Sequence, residues 1–273
     1  MKNYVIGDIK QQNLLVNPSG LVSIIDTDSF QIRDPITGKI YRGHVGSAEY
    51  TPPEMFNVDF SQVDRSELHD RFGLAIVIWQ LLFATHPFTG QWTGGGNQPN
   101  IDKLIHQGDW IYGRNSNLRA TQQSIPLNVV HPELEGLFRK CFDDGCNAPY
   151  ARPTASEWQE SLKAAISNLV QCTKEVGHYY AQHYGKCYWC ERKNQGHDAF
   201  PSTPRTATTT PIPVLQPPSV IVTPPSPVLR WKSKPISVLA GLGGLAIGAF
   251  ALTTGYYWVL IIAGILVIIS WSI

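Results

Sequence analysis

The chain has 273 residues, 43% of them hydrophobic and 16% charged, which is enough for one or two folded domains. Lys and Arg (22) nearly cancel Asp and Glu (21), and a formal charge of +1 gives no overall field that would argue for a nucleic-acid partner. An odd number of cysteines, 5, and a start (MKNYVIGD) without an apolar leader argue against a secreted disulfide framework and fit a reducing cytoplasm.

Residues 1–168 alternate apolar runs with turn signals, as a folded domain does. The opening VIGDIKQQNLLV places Asp8, then Lys10 and Asn13, on a loop that runs into two predicted strands, 14–16 and 22–25. Between the strands stands Asn17-Pro18-Ser19-Gly20, whose residue types favour a tight turn. VSIIDTDSFQ then brings a second carboxylate, Asp26. Such a set suits phosphoryl transfer: one carboxylate takes the acceptor hydroxyl's proton and the Lys steadies the γ-phosphate. The Asn and the second carboxylate supply oxygen ligands for Mg²⁺.

Further along, the apolar run 69–83 is too short to span a bilayer and reads as a buried central helix. THPFTGQWTGGGNQPN holds a glycine run without a following Lys-Ser/Thr, and reads as a surface loop. Two more helices are predicted, over 132–142 with Pro132 in the first turn, and over 154–169 with Thr154 and Glu157 at capping-box spacing.

Residues 169–200 carry Cys172, His178, Cys187 and Cys190, a CxxC knuckle preceded by a Cys-x5-His pair, which would suit a structural Zn²⁺. His183 is a rival fourth ligand, and a redox-active or unpaired CxxC is the alternative. Cys141 and Cys146 read as part of the preceding domain. Residues 201–235 hold ten of the 20 prolines with Thr, Ser and Val, the composition of an extended, disordered linker. Residues 236–273 contain no Lys, Arg, Asp, Glu or His. Their 38 residues are about twice the ~20 that one span needs, which predicts a transmembrane helical hairpin turning at Thr253-Thr254-Gly255. Arg230, Lys232 and Lys234 precede it and place the folded part on the cytoplasmic side.

Asp8-x-Lys10-x-x-Asn13 with Asp26, then TPPEMF, DRFGLAIVIWQLLFATHPF and ARPTASEW in that order resemble the eukaryotic-like Ser/Thr protein kinases of bacteria, in the subgroup with Asp-Thr-Asp in place of Asp-Phe-Gly. The resemblance implies ATP and Mg²⁺ as cofactors, Asp8 as catalytic base, Lys10 as the catalytic-loop lysine, and Asn13 and Asp26 as metal ligands. It gives Asp70 the start of the central helix, pairs Glu54 with Arg152, and leaves these three structural. It implies a mainly α (α+β) C-terminal lobe over 1–168. The Gly-rich loop, strand lysine and helix glutamate that cover ATP would have to precede Asp8, so impaired activity is expected, with a separate N-lobe chain as one remedy. The implied partner is a protein substrate. The alternative is a catalytically inactive docking module held at a bacterial plasma membrane, with a docking partner. Ile6-Gly7 stand where the family has His-Arg, so control through an activation-loop phosphate is not expected, and Asp28 replaces the motif's Gly.

Overall fold

In the computed structural model, which describes residues 4–200, β1 (Tyr4–Val5) leads through a loop and a 3-10 turn (Gln11–Asn13) into the hairpin of β2 (Leu14–Val16) and β3 (Val22–Ile24). Asn17 closes that hairpin: its Oδ1 accepts the N–H groups of Ser19 at 3.0 Å and Leu21 at 2.9 Å, an Asx turn as the sequence suggests. Leu14 pairs with Ile24 and Val16 with Val22. A 3-10 turn (Thr27–Ser29) follows, then β4 (Gln31–Arg33) and β5 (Ile40–Tyr41), which join β1 in an antiparallel sheet of order β1-β4-β5.

The second half is built on helices: α1 (Glu67–Phe83), β6 (Gln91–Trp92), α2 (Ile101–Gln107), β7 (Leu118–Arg119), α3 (Pro132–Arg139), a π-helical turn (Lys140–Asp144), α4 (Gly145–Asn147) and α5 (Ala155–Ser167). β8 (Leu169–Gln171), β9 (Tyr179–Ala181) and α6 (Tyr188–Asn194) complete the described part. The fold class needs one refinement, since strand and helix are mixed and the described strands form four small sheets where the sequence suggested one hairpin. Strands of two or three residues are too short to leave a period-2 pattern.

α1 starts two residues before its predicted bound because Ser66 caps it, with His69 Nδ1 accepting the Ser66 N–H at 2.8 Å. The helix predicted over 132–142 is α-helical only to Arg139 and then widens, and Phe138, Cys141 and Phe142 are all fully buried. α5 begins with the foreseen cap, Thr154 N–H donating to Glu157 Oε2 at 2.7 Å, and stops at Ser167. The glycine run is at the surface, although Gln91–Trp92 before it pairs with β7.

Trp79 of α1 is the hub of the core. It stacks on Phe83 at 4.0 Å and meets Phe138 and Trp110 edge-on at 5.0 and 5.8 Å, while Phe138 touches Trp158 of α5 at 4.9 Å. Each such buried aromatic contributes well over 100 Å² of apolar area, and edge-on pairs add ~0.5–1.5 kcal/mol beyond that burial. The Cys/His segment packs on this lobe rather than hanging from it. Tyr188 and Trp189 bury against Val129, Arg192 donates to Gln123 O at 2.6 Å, and all residues from 4 to 200 fall in one compact unit. No helix among the described residues is long and apolar enough to cross a membrane. The linker predicted over 201–235 and the transmembrane hairpin predicted over 236–273 lie outside the described residues.

Arg152 joins the two halves of the lobe. Its fully buried guanidinium is bidentate with Glu54, at 2.7 and 2.6 Å, and also donates to Leu68 O and Gly145 O, both at 2.9 Å. Replacing Glu54 by Ala leaves that cation buried without its counter-ion, so Glu54→Ala should cost about 3 kcal/mol in urea unfolding, against roughly 0.5 kcal/mol for an ordinary surface change.

Candidate functional site

The loop from Ile6 to Lys10 has no regular structure, and the neighbouring elements hold it. Asp70, in the first turn of α1, accepts the N–H groups of Ile6 and Gly7, both at 2.8 Å. Ser29 Oγ donates to Ile6 O at 2.9 Å. Asp8 follows at once, 4% exposed, its position set by two backbone bonds upstream and by its own partners.

Those partners gather three of the sequence-derived residues. Lys10 Nζ donates to Asp8 Oδ2 at 2.6 Å, and Asn13 Nδ2 donates to Asp8 O at 2.9 Å and to Oδ2 at 3.2 Å. The remaining oxygen, Asp8 Oδ1, accepts the N–H of Ser47 at 2.9 Å, and Ser47 Oγ accepts from Lys10 at 2.9 Å. Since the amide nitrogen of Asn13 is engaged with Asp8, its amide oxygen is the atom left to face a cation.

Asp26 stands at the foot of the hairpin. The N–H of Ile25 donates to Asn13 O at 2.9 Å, which ties the residue before Asp26 to the residue that ends the loop. Asp26 itself is exposed and has φ +63°, a left-handed conformation that costs a non-glycine residue about 1 kcal/mol and is concentrated at functional sites. Among the described residues its carboxylate makes no hydrogen bond or ion pair, which is the state of an oxygen donor open to a cation. Asp28 is likewise exposed, on the turn Thr27–Ser29.

Ser47, Ser29 and Arg65 were not among the residues singled out in the sequence. Arg65 precedes α1 and donates to four backbone carbonyls, of Gly7, Ser29, Gly43 and Val45. A hydroxyl after glycine at Ser47, seven residues before Glu54, was the available signal for the first; nothing local marks the other two.

A second cluster lies in the Cys/His segment. The ligand atoms of Cys172, His178, Cys187 and Cys190 are all within 4.8 Å of one another. Cys172 Sγ is 3.5 Å from Cys190 Sγ, and His178 Nδ1 is 3.7 Å from Cys187 Sγ and 3.5 Å from Cys190 Sγ. His183 is elsewhere, its Nε2 donating to Asn128 O at 3.0 Å. Burial holds the His178 pKa below its usual value, which favours the neutral imidazole that ligates metals. Burial alone would raise the Cys172 thiol, but the N–H groups of Lys174 and Glu175 and the neighbouring thiols bring it below the ordinary value. Burial and the other two thiols push Cys190 up to about 12, as expected where three thiolates would crowd without a cation. Cys141 is buried in the core, and Cys146 Sγ donates to Phe142 O at 3.0 Å.

Residues 2–162 match the protein kinase domain family. A 200-residue stretch is 34% identical to protein kinase YegI of Escherichia coli O157:H7 and 33% identical to that of strain K12, covering 71% of this chain and 30% of each relative. Serine/threonine-protein kinase tousled-like 2 of Mus musculus is 29% identical over 136 residues, 50% of this chain and 16% of that protein. This chain therefore spans under a third of the length of these relatives, 30% for the two YegI proteins.

Asp70 generates a pH prediction. Burial raises its carboxyl from the ordinary 3.8 to about 6, against the N–H groups of Gly7 and Ile6 and the charge of Arg65, which pull it down. A carboxyl raised on folding binds its proton more tightly in the folded state between those two values, so its cost to stability is complete above the upper value and fades as pH falls towards the lower. The unfolding free energy of the wild type minus that of Asp70→Asn should therefore grow as pH is lowered from about 7 to about 4.5 in urea titrations. A constant difference would show that Asp70 does not titrate in this window.

Proposed function

The chain belongs to the protein kinase family, and from that premise we propose that residues 4–200 form the magnesium- and acceptor-binding half of a Ser/Thr kinase active site. The observation that carries the reading is the convergence on Asp8 of Lys10, Asn13 and the Ser47 backbone, with Asp26 held beside Asn13 by the Ile25 bond. In the reaction, the acceptor hydroxyl oxygen of a protein Ser or Thr forms a bond to the γ-phosphorus of ATP, the bond to the ADP oxygen breaks, and the hydroxyl proton passes to Asp8. Lys10, already paired with Asp8 and Ser47, offers its charge to the transferred phosphoryl group. Asn13 and Asp26 would hold Mg²⁺, which neutralises phosphate charge when bound. Leu15 is 54% exposed and Ile25 39%, on the same hairpin as these ligands, an apolar floor suited to a purine ring. The Gly-rich loop, strand lysine and helix glutamate would complete the nucleotide site from outside these residues, so the lobe by itself binds Mg·ATP weakly.

The Cys/His cluster is read as a structural zinc site. Tetrahedral Zn²⁺ with bonds of about 2.3 Å to sulfur and about 2.0 Å to nitrogen sets ligand-to-ligand edges of roughly 3.5–3.8 Å. Three of the six edges, at 3.5, 3.7 and 3.5 Å, lie in that range and support that metal. Residues 236–273, with their flanking Arg230, Lys232 and Lys234, are read as a membrane hairpin that keeps the lobe cytoplasmic.

In the full-length protein, Asp8→Asn should lower the rate of transfer to a Ser/Thr acceptor about 10²–10⁴-fold while the chain still folds and unfolds cooperatively in urea. Equal turnover by this variant would remove Asp8 from the role of base. Metal analysis of the chain purified under reducing, chelator-free conditions should find one zinc per molecule, lost in Cys187→Ser. A zinc-free chain with the same thermal melt would overturn the metal reading.

A further inference from the structure

Arg65 is 5% exposed and lies where three functional segments meet. Its Nη1 donates to Gly7 O at 2.8 Å and Val45 O at 3.0 Å, and its Nη2 to Ser29 O at 2.5 Å and Gly43 O at 3.0 Å. Four of the five guanidinium N–H groups thus end on backbone carbonyls. One carbonyl belongs to the residue before Asp8, one to the turn after Asp26, and two to the stretch that leads to Ser47. The backbone of Arg65 is fixed as well: its N–H donates to Gln31 Oε1 at 2.7 Å and its carbonyl accepts from Gln31 Nε2 at 2.8 Å, while Phe60 lies under the guanidinium carbon at 5.2 Å.

The surroundings are shaped to admit this side chain. A Cβ on Gly7 would come within 2.4 Å of the Arg65 guanidinium, and a Cβ on Gly43 within 2.0 Å of Ser29 O and 2.6 Å of Arg65. Gly7 also has φ +80°, which suits glycine. The position before Asp8, which carries arginine in the resembled family, is therefore the space that the Arg65 guanidinium fills from the other side. An arginine waiting for a phosphate presents free N–H groups. This one presents a single N–H, the buried Nε, and no open fork. Other features of the segment agree: β4 and β5 give residues 31–41 a hairpin of their own, and Arg42 is paired with Asp64 at 2.8 Å.

We propose that Arg65 is a positioning residue that holds the catalytic loop, the metal turn and the acceptor-facing segment 43–47 in working register without any phosphate on the activation segment, residues 27–53. It rests on the kinase reading above and adds the regulation of that site: the lobe is constitutively arranged, and control of activity must come from elsewhere than phosphorylation of this segment.

The test uses the full-length protein, treated with phosphatase and shown by intact mass to carry no phosphate, as wild type, Arg65→Met and Arg65→Lys. Two measurements are made. In hydrogen exchange, wild type should protect residues 27–50, and Arg65→Met should exchange them about tenfold faster while α1 and α5 stay protected, with Arg65→Lys in between. In transfer assays, phosphatase treatment should change wild-type turnover less than about twofold, and Arg65→Met should lower kcat about a hundredfold and raise KM for both the acceptor and Mg·ATP. Global unfolding would instead expose α1 and α5 and lower kcat with both KM values unchanged, and would overturn the positioning role. Fast exchange of residues 27–50 in unphosphorylated wild type, or recovery of protection only on phosphorylation, would also overturn it. If wild type transfers no phosphate, the kinase reading fails, and the exchange measurement still decides whether Arg65 orders the segment.

Discussion

The carboxylate of Asp70 is the constraint on which the site depends. The loop carrying Asp8 has no ladder or helix to fix it, and a loop so placed must satisfy its backbone groups elsewhere. Asp70 does this by accepting two consecutive N–H groups, those of Ile6 and Gly7, from the first turn of α1. α1 in turn is fixed by the aromatic cluster around Trp79, Phe138 and Trp158, all three fully buried. The position of Asp8 is thus inherited from the core, through one helix and one carboxylate. Close packing makes that inheritance accurate, because a core of interlocked aromatic rings has few alternative arrangements.

The segment from Ser47 to Glu54 has a separate support. Glu54 meets Arg152, which reaches from the far end of the sequence to Leu68 O and Gly145 O as well. Ser47 then connects that segment to the loop, its N–H donating to Asp8 and its hydroxyl oxygen accepting from Lys10. The consequence is that Asp8 and the segment from Ser47 to Glu54 cannot move independently. Proximity of this kind is what phosphoryl transfer demands of a protein, since the phosphate chemistry itself needs positioning and charge more than covalent help.

What could be read from the sequence follows the range of the interactions. Asp8, Lys10 and Asn13 lie within six consecutive residues, so their spacing alone sets them on one loop, and the hairpin turn at Asn17 is equally local. The pairing of Glu54 with Arg152 spans 98 positions and was legible only through a family resemblance. Arg65 and Ser29 act on carbonyls, which every residue possesses, so no residue type at the receiving end reveals them. The missed strands, such as β1 and β5, have two residues each and carry no period. Within the Cys/His segment, spacing proposed four ligands and one rival, and only coordinates could set His183 apart, on Asn128 O.

Three buried ionic groups, Arg65, Asp70 and Arg152, converge on the beginning of α1 or the two residues before it. Removing charges from water is costly, and well-packed apolar residues would generally stabilise such a region as well or better. Stability therefore does not account for them. What they share is that each bonds backbone groups distant in sequence: Arg65 the carbonyls of Gly7, Ser29, Gly43 and Val45, Asp70 the N–H groups of Ile6 and Gly7, and Arg152 the carbonyls of Leu68 and Gly145. Apolar contacts are non-directional and tolerate sliding, whereas a guanidinium holding four carbonyls, or a carboxylate holding two N–H groups, has one satisfying geometry. The charges at the start of α1 convert the rigidity of the aromatic core into the orientation of loops, a task that hydrophobic packing cannot perform.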